Sequence, residues 1–172
     1  AILAKHKFEI DTLTNFTSDF YKAKIIFNSF VEKLTYTSDP RASVEYVQYP
    51  EQTLELKGGD CDDLSVCYSS LLESIGIETA FVDYKNNSLS KHVNLMFNTK
   101  LTPQQAFLIS ENDTKYFIRK NEFGNDEVWI PIETTSLSNF DNAWNVASEK
   151  FQTEAINLFV LVNGKVEIID VN

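Results

Sequence analysis

Gly58-Gly59-Asp60-Cys61-Asp62-Asp63-Leu64-Ser65 places a thiol where a glycine turn hands over to a helix running to Ser74. His92 follows alone on an alternating apolar segment, and Glu133 closes another, so a cysteine, a histidine and an acid come in an order that nucleophilic catalysis can use. The attacking species in such chemistry is the thiolate. A position in the first helical turn favours a negative sulfur through the unpaired N–H groups and the positive end of the dipole, and a neighbouring imidazolium does so more strongly. His92 is the partner this pattern offers, because the other histidine, His6, lies in an N-terminal segment without periodicity.

Three carboxylates, Asp60, Asp62 and Asp63, crowd the same turn and oppose a negative sulfur. The expected resolution is that Asp60 caps the helix and Asp63 reaches back as its N3 partner, so that both spend their oxygens on backbone N–H groups and point off the thiol. Glu133 is expected to hold the ring nitrogen of His92 that faces away from Cys61. The oxyanion of an acyl intermediate would then meet the backbone N–H of Cys61 and one upstream donor, Gln52 first and Tyr49 second.

Blander readings fit other residues. Cys67, on an otherwise aliphatic stripe, is expected to be an inert core thiol. It lies six positions after Cys61, so the two point about 120° apart on one helix and do not form a disulfide. No C-x-x-C pair supports zinc. A calcium loop starting at Asp60 would need glycine sixth and glutamate twelfth, where Ser65 and Leu71 stand, so no metal and no cofactor are expected. Trp129 and Trp144 suit a core, although Trp129 shares a strand face with Glu133 and has the position of a cleft-lining residue.

The elements that must position these groups can be read from periodicity. Phe16, Phe20, Ala23, Phe27, Phe30 and Leu34 form the stripe of an amphipathic helix, with Thr17 or Ser18 as its cap. A turn at 36–40 and an aromatic connector over 46–54, of unassigned structure, lead to the glycine pair. The second helix carries Leu64, Cys67, Leu71 and Ile75 and stops at Gly76. Strands are expected over 78–84 and 91–98; in the latter Val93, Leu95 and Phe97 share one face and His92, Asn94 and Met96 the other. A long connection with a short helix after Pro103 leads to strands over 116–120 and 127–132, the later one with Val128, Ile130 and Ile132 opposite Trp129, Pro131 and Glu133. A helix over 139–151 follows. Asn163-Gly164, between the apolar runs 158–162 and 165–170, predicts a closing hairpin.

With 172 residues and 43% hydrophobic content the chain suits one domain, 1–172, with its own core. No stretch approaches the roughly 18 to 20 apolar residues of a membrane-spanning helix. The first residue is Ala1 rather than Met, so the chain is expected to be part of a longer protein. A net charge of −10 opposes phosphate backbones, and no nucleic acid is expected as a partner.

At Gly59-Asp60-Cys61-Asp62-Asp63-Leu64-Ser65, the helix end Leu71-Leu72-Glu73-Ser74-Ile75-Gly76-Ile77, the strand His92-Val93-Asn94-Leu95, and Trp129-Ile130-Pro131-Ile132-Glu133-Thr134-Thr135, the sequence resembles the transglutaminase-like superfamily of microbial thiol enzymes. The resemblance runs over roughly residues 20 to 150. It implies an α+β, papain-like arrangement, with the Cys-bearing helix packed on an antiparallel sheet that carries the histidine and the acid. Cys61 matches the nucleophile, His92 the base and Glu133 the third member. Two positions depart from the pattern: Glu133-Thr134-Thr135 replaces the common Asp-Pro-Thr, and Asn94 stands where an aromatic usually follows the histidine.

The function so implied is a thiol-dependent hydrolase or acyl transferase, acting on a protein or peptide substrate at peptide or glutamine-type amide bonds. Hydrolysis is favoured over transfer because an amine acceptor needs a dedicated site. The alternative is an inactive binding module of the same fold within a larger envelope-associated protein.

Overall fold

The computed structural model describes residues 2–7, 17–38, 46–85, 92–156, 161–162 and 164–171. A single turn, α1 (Ile2–Lys5), precedes α2 (Ser18–Val31), whose three- and four-residue spacing buries Phe20, Ala23, Phe27 and Phe30 together with Ile26 and Val31. Phe16, the first residue of the expected stripe, lies outside the described residues.

Of the turn expected over 36–40, residues 39 and 40 lie outside the described residues. Thr35 and Tyr36 form a two-residue strand, β1 (Thr35–Tyr36), that pairs in parallel with β2 (Gly58–Gly59), in the register Thr35 to Gly58 and Tyr36 to Gly59. Between them the aromatic connector supplies a helix, α3 (Pro50–Leu56). Pro50 suits a first helical position because it lacks the N–H that would go unpaired there. Lys57, left-handed at φ 58°, ends the helix and turns the chain into the glycine pair.

The helix α4 (Cys61–Glu73) begins at the thiol. Its buried stripe is Leu64, Cys67, Tyr68 and Leu72, whereas Leu71 and Ile75 are only half-buried. Tyr68 shifts the stripe because its ring meets Phe27 and Phe30 at 5.2 and 5.6 Å and its hydroxyl donates to the Ala23 carbonyl at 2.9 Å, filling the contact with α2. Gly76, at φ 78°, takes the positive φ that follows the helix.

Strands β3 (Thr79–Tyr84), β4 (His92–Asn98), β5 (Phe117–Lys120), β6 (Asp126–Ile132) and β7 (Val166–Asp170) form one sheet in the order β5-β6-β4-β3-β7, each neighbour antiparallel. The period of two divides it as the sequence predicts. Leu95, Phe97, Val128, Ile130 and Ile132 join the core beneath α2, α4 and α5 (Phe140–Lys150), while Ala80, Val82, Met96 and Trp129 join a second cluster with Phe151 and Ala155 on the opposite face. The connection between β4 and β5 carries the expected short helix, a 3-10 segment over Pro103–Leu108.

The partner of β7 among the described residues is β3, with Phe81 opposite Ile169, and Leu161 and Val162 lie in a turn; residues 158–160 and Asn163, on which the expected closing hairpin rests, fall outside the described residues. The four strands β5-β6-β4-β3 leave a β3 edge on which β7 adds a ladder, from Ala80 opposite Asp170 to Tyr84 opposite Val166.

Candidate active site

Two close approaches explain the glycine pair. A Cβ on Gly58 would sit 2.5 Å from the Thr35 carbonyl oxygen, and one on Gly59 would sit 2.5 Å from the Cβ of Asp63. The chain can therefore pass between β1 and the first turn of α4, entering the helix at Cys61, only if both positions lack side chains. Asp63, 1% exposed, is held there: its Oδ1 accepts the Gln48 N–H and its Oδ2 the Gln48 amide Nε2, both at 2.7 Å, and Oδ2 also accepts the Asp60 N–H at 3.2 Å. Its charge is thereby spent on donors away from the thiol, and its reach back to Asp60 is the N3 half of a capping box.

Asp60 is different. Burial, a side-chain hydrogen bond with Asp62, and the charges of Asp62 and Asp63 push its carboxyl up to about 7 against one opposing backbone bond, and its Oδ1 is buried without a hydrogen-bond partner. Two of the three carboxyls next to Cys61 thus share a hydrogen bond, which reduces the negative charge facing the sulfur while Asp60 keeps its proton.

Cys61 is half-buried, and its interaction with the His92 side chain helps to raise that imidazole. His92 Nε2 lies 2.7 Å from Glu133 Oε2, which leaves Nδ1 as the ring nitrogen available to the thiol. Sheet register makes this possible: β4 and β6 are antiparallel neighbours with Leu95 opposite Ile132, so the start of β4 lies beside the residues that leave β6. Glu133 is 5% exposed, and its second oxygen accepts the Thr135 N–H at 3.2 Å and the Thr135 hydroxyl at 2.6 Å. A further link, Ser65 to Thr134 through hydroxyls 2.8 Å apart and both fully buried, ties α4 to the same segment.

The electrostatics follow from these contacts. Burial alone would lower the imidazole, but hydrogen bonds to Cys61 and Glu133 and the Glu133 charge outweigh it and raise His92 from 6.5 to about 9. Burial likewise works to raise Glu133, yet the bonds from His92 and Thr135 and the His92 charge hold it below its usual 4.5. At neutral pH the pair is imidazolium and carboxylate. Cys67 is fully buried, with its thiol pushed up to about 12 by that burial, and has the inert character expected of a core cysteine.

Several neighbours were not legible as site residues. Tyr84, opposite His92 across the β3–β4 ladder, has its ring centroid 6.3 Å from the imidazole and is held above its usual phenol range by burial and by the charges of Glu154 and Glu133. Lys150 at the end of α5 stands 4.8 Å over that ring, and its charge opposes protonation of His92. Tyr36 comes next to the thiol through its pairing with Gly59; partial burial, then the negative charges of Cys61, Asp60, Asp62 and Glu133, raise its phenol. The only signals for these three were the cross-strand register and the parallel bridge, neither of which periodicity reveals. Gln48, which anchors Asp63, sat in the unassigned connector.

The remaining candidates occupy defined places. Gln52 Oε1 accepts the Tyr49 N–H and the Tyr46 hydroxyl, each at 2.9 Å, capping α3 and leaving the Gln52 amide nitrogen as a donor; Tyr49 is 72% exposed. Trp129, 6% exposed, packs in the second cluster with the Arg119 guanidinium 4.3 Å above it, and lines a cavity of about 590 Å3 with Glu78, Glu127 and Asp170, whose lining includes none of Cys61, His92 or Glu133. Among the described residues the ligand atoms of Asp60, Cys61 and Asp62 lie within 4.8 Å of one another. A hard cation such as calcium takes about six to eight oxygens, so this trio alone supplies a minority of its shell. No helix among the described residues is long and apolar enough to cross a membrane.

An antiparallel sheet with a cysteine at the start of a packed helix, and a histidine and an acid delivered by neighbouring strands, defines a papain-like α+β class. Residues 8–134 match the transglutaminase-like superfamily, and the chain belongs to that superfamily. Membership supports a function of the thiol-dependent peptidase or acyltransferase kind. No curated protein matches. Among solved structures the chain is similar to Legionella pneumophila LapG, at 23% identity and a TM-score of 0.39 over 51% of each chain, and to its EGTA-treated form, with the same identity and TM-score over 51% of this chain and 50% of that one. It is also similar to calcium-bound LapG, at 18% identity and a TM-score of 0.35 over 56% of this chain and 66% of that one. The match thus spans about half the length of the first two structures.

Proposed function

We propose that the protein is a thiol-dependent hydrolase of peptide or glutamine-type amide bonds, working through a thioester on Cys61. The observation that supports this most is the His92 ring held 2.7 Å from a buried, ionised Glu133, with Cys61 among the groups that raise the imidazole. The Cys61 sulfur attacks the carbonyl carbon, and the carbonyl oxygen becomes an oxyanion met by the Cys61 N–H and an upstream donor, Gln52 or Tyr49. Collapse breaks the C–N bond as the imidazolium gives its proton to the leaving amine. Water then attacks the thioester carbon and yields a proton to His92. The C–S bond breaks, releasing the acid and restoring the thiolate and imidazolium. Glu133 holds the ring and stabilises its charged state throughout.

Hydrolysis is preferred to transfer because water needs no site of its own, whereas an amine acceptor needs a dedicated one. The substrate is a protein or peptide rather than nucleic acid, in keeping with the charge of −10. One sheet shared by both apolar clusters supports reading 1–172 as a single domain. The test is labelling by iodoacetamide or an epoxide: it should be rapid in the native chain and vanish in Cys61→Ala. Undiminished labelling of that variant, or native labelling no faster than that of free cysteine, leaves the binding-module alternative instead.

A further inference from the structure

The space around Gly58 and Gly59 fixes which way each side chain of β1 points. A Cβ on Gly58 would lie 3.0 and 3.2 Å from the hydroxyl oxygens of Thr35 and Thr37, so these two threonines share one face of the parallel pair. Side chains alternate along a strand, and Tyr36 therefore stands on the other face. That is the face on which a Cβ of its partner Gly59 would meet Asp63 in the first turn of α4, 2.5 Å from the Asp63 Cβ and 2.7 Å from its Oδ2. The Tyr36 ring is thus directed over the start of the helix that bears the thiol. The charges acting on it agree: partial burial raises the phenol, and so do Cys61, then Asp60, Asp62 and Glu133. The side chain is 53% exposed, and its hydroxyl has no hydrogen-bond partner among the described residues.

We infer that the Tyr36 hydroxyl is a further donor to the oxyanion, adding to the Cys61 N–H from across the first turn of α4. This rests on the function proposed above. As the sulfur bonds to the carbonyl carbon, the π pair of the C=O bond moves onto oxygen, and the phenol donates a hydrogen bond to that oxygen without giving up its proton. A raised phenol suits the task, because it stays protonated beside carboxylates and a thiolate. Position sets it apart from the donors of the connector. The Pro50 carbonyl accepts the Cys67 thiol at 3.6 Å, so α3, with Tyr49 and Gln52 at its start, begins beside the second turn of α4, and the helix from Cys61 to Cys67 rises about 9 Å. Tyr36 is bridged instead to Gly59, in the segment that enters the helix at Cys61.

The test compares two reactions of Cys61 near neutral pH, in the native chain and in Tyr36→Phe, with Cys61→Ala as the blank. The ester p-nitrophenyl acetate gives its acetyl group to the sulfur through a tetrahedral oxyanion and releases p-nitrophenolate, which absorbance reads. Iodoacetamide alkylates the same sulfur by displacing iodide and forms no oxyanion. Loss of the hydroxyl should slow acetylation about a hundredfold, the lower end for one such donor, and leave alkylation unchanged. A ring-fluorinated tyrosine in place of Tyr36, a stronger donor of nearly the same shape, should speed acetylation and again spare alkylation, a gain that a misfolded variant cannot give. A ratio of the two rates that neither replacement alters overturns the inference, whether both rates hold or both fall together, since the phenol would then act on the sulfur or the fold and not on the oxyanion. The two readings fail separately. A native thiol no faster than free cysteine with both reagents sinks the hydrolase, and a fast native thiol with an unaltered ratio sinks the role of Tyr36 alone.

Discussion

His92 Nε2 and Glu133 Oε2 lie 2.7 Å apart across 41 residues of sequence, the imidazole raised to about 9 and the carboxyl held below 4.5. Each charge is stabilised by the other. Glu133→Gln keeps a hydrogen-bond acceptor at that place but removes the charge, so the imidazole should fall from about 9 toward 6.5. An NMR titration of the ring measures this; an unchanged midpoint would show that Glu133 does not hold the proton on His92.

The same pair gives a signed pH dependence of stability. His92 is raised above its unfolded 6.5, so its contribution is complete below 6.5 and is lost as pH rises through about 9. Glu133 is lowered beneath its unfolded 4.5, so its contribution is complete above 4.5 and is lost as pH falls through the folded value. Thermal melts across pH should place the full contribution between 4.5 and 6.5, and His92→Gln should flatten the alkaline decline.

Asp60 acts in the opposite sense to an ordinary paired carboxylate. Its folded value of about 7 lies above the unfolded 3.8, so the protonated form is the one the fold accepts, and stability declines as pH rises through about 7. Asp60→Asn, which keeps a capping side chain, should leave the melting temperature near that of the native chain at about pH 4 and raise it at about pH 8. A difference that does not grow with pH contradicts the assignment.

Gly59→Ala puts a methyl 2.5 Å from the Cβ of Asp63. The first turn of α4 must shift, at a cost of about 1 to 3 kcal/mol in a denaturant titration. Cys61 moves with it, so labelling should slow even at temperatures where the variant is folded.

Asn94 is 1% exposed and neither end of its amide has a hydrogen-bond partner. Asn94→Leu exchanges an unsatisfied amide for an apolar group of similar volume and should stabilise the chain by about 1 kcal/mol or more. Calorimetry reads the sign, and a destabilised variant would mean that the amide is satisfied in solution.

What the sequence disclosed and what it hid divide along one physical line. The division of His92, Asn94 and Met96 from Val93, Leu95 and Phe97 was legible because side chains alternate along any strand, and the start of α4 at Cys61 was legible because glycine and aspartate mark a helix entry. Contacts that depend on which distant segment pairs with which were hidden. Tyr36 reaches the thiol only through a parallel bridge to Gly59, Tyr84 reaches His92 only across the β3–β4 ladder, and β7 joins the sheet through the distant β3. Helix α3 was hidden for a related reason: its start depends on Tyr49 and Gln52 capping each other, a pairing that the aromatic composition of the connector obscured.

The contact between Cys61 and His92 is tested most directly by the second-order rate of Cys61 alkylation with iodoacetamide near neutral pH, in the native chain and in His92→Gln. An imidazolium that holds the thiolate should make the native rate about a hundredfold higher than that of the variant. Equal rates would contradict the account, since the sulfur would then owe nothing to the histidine.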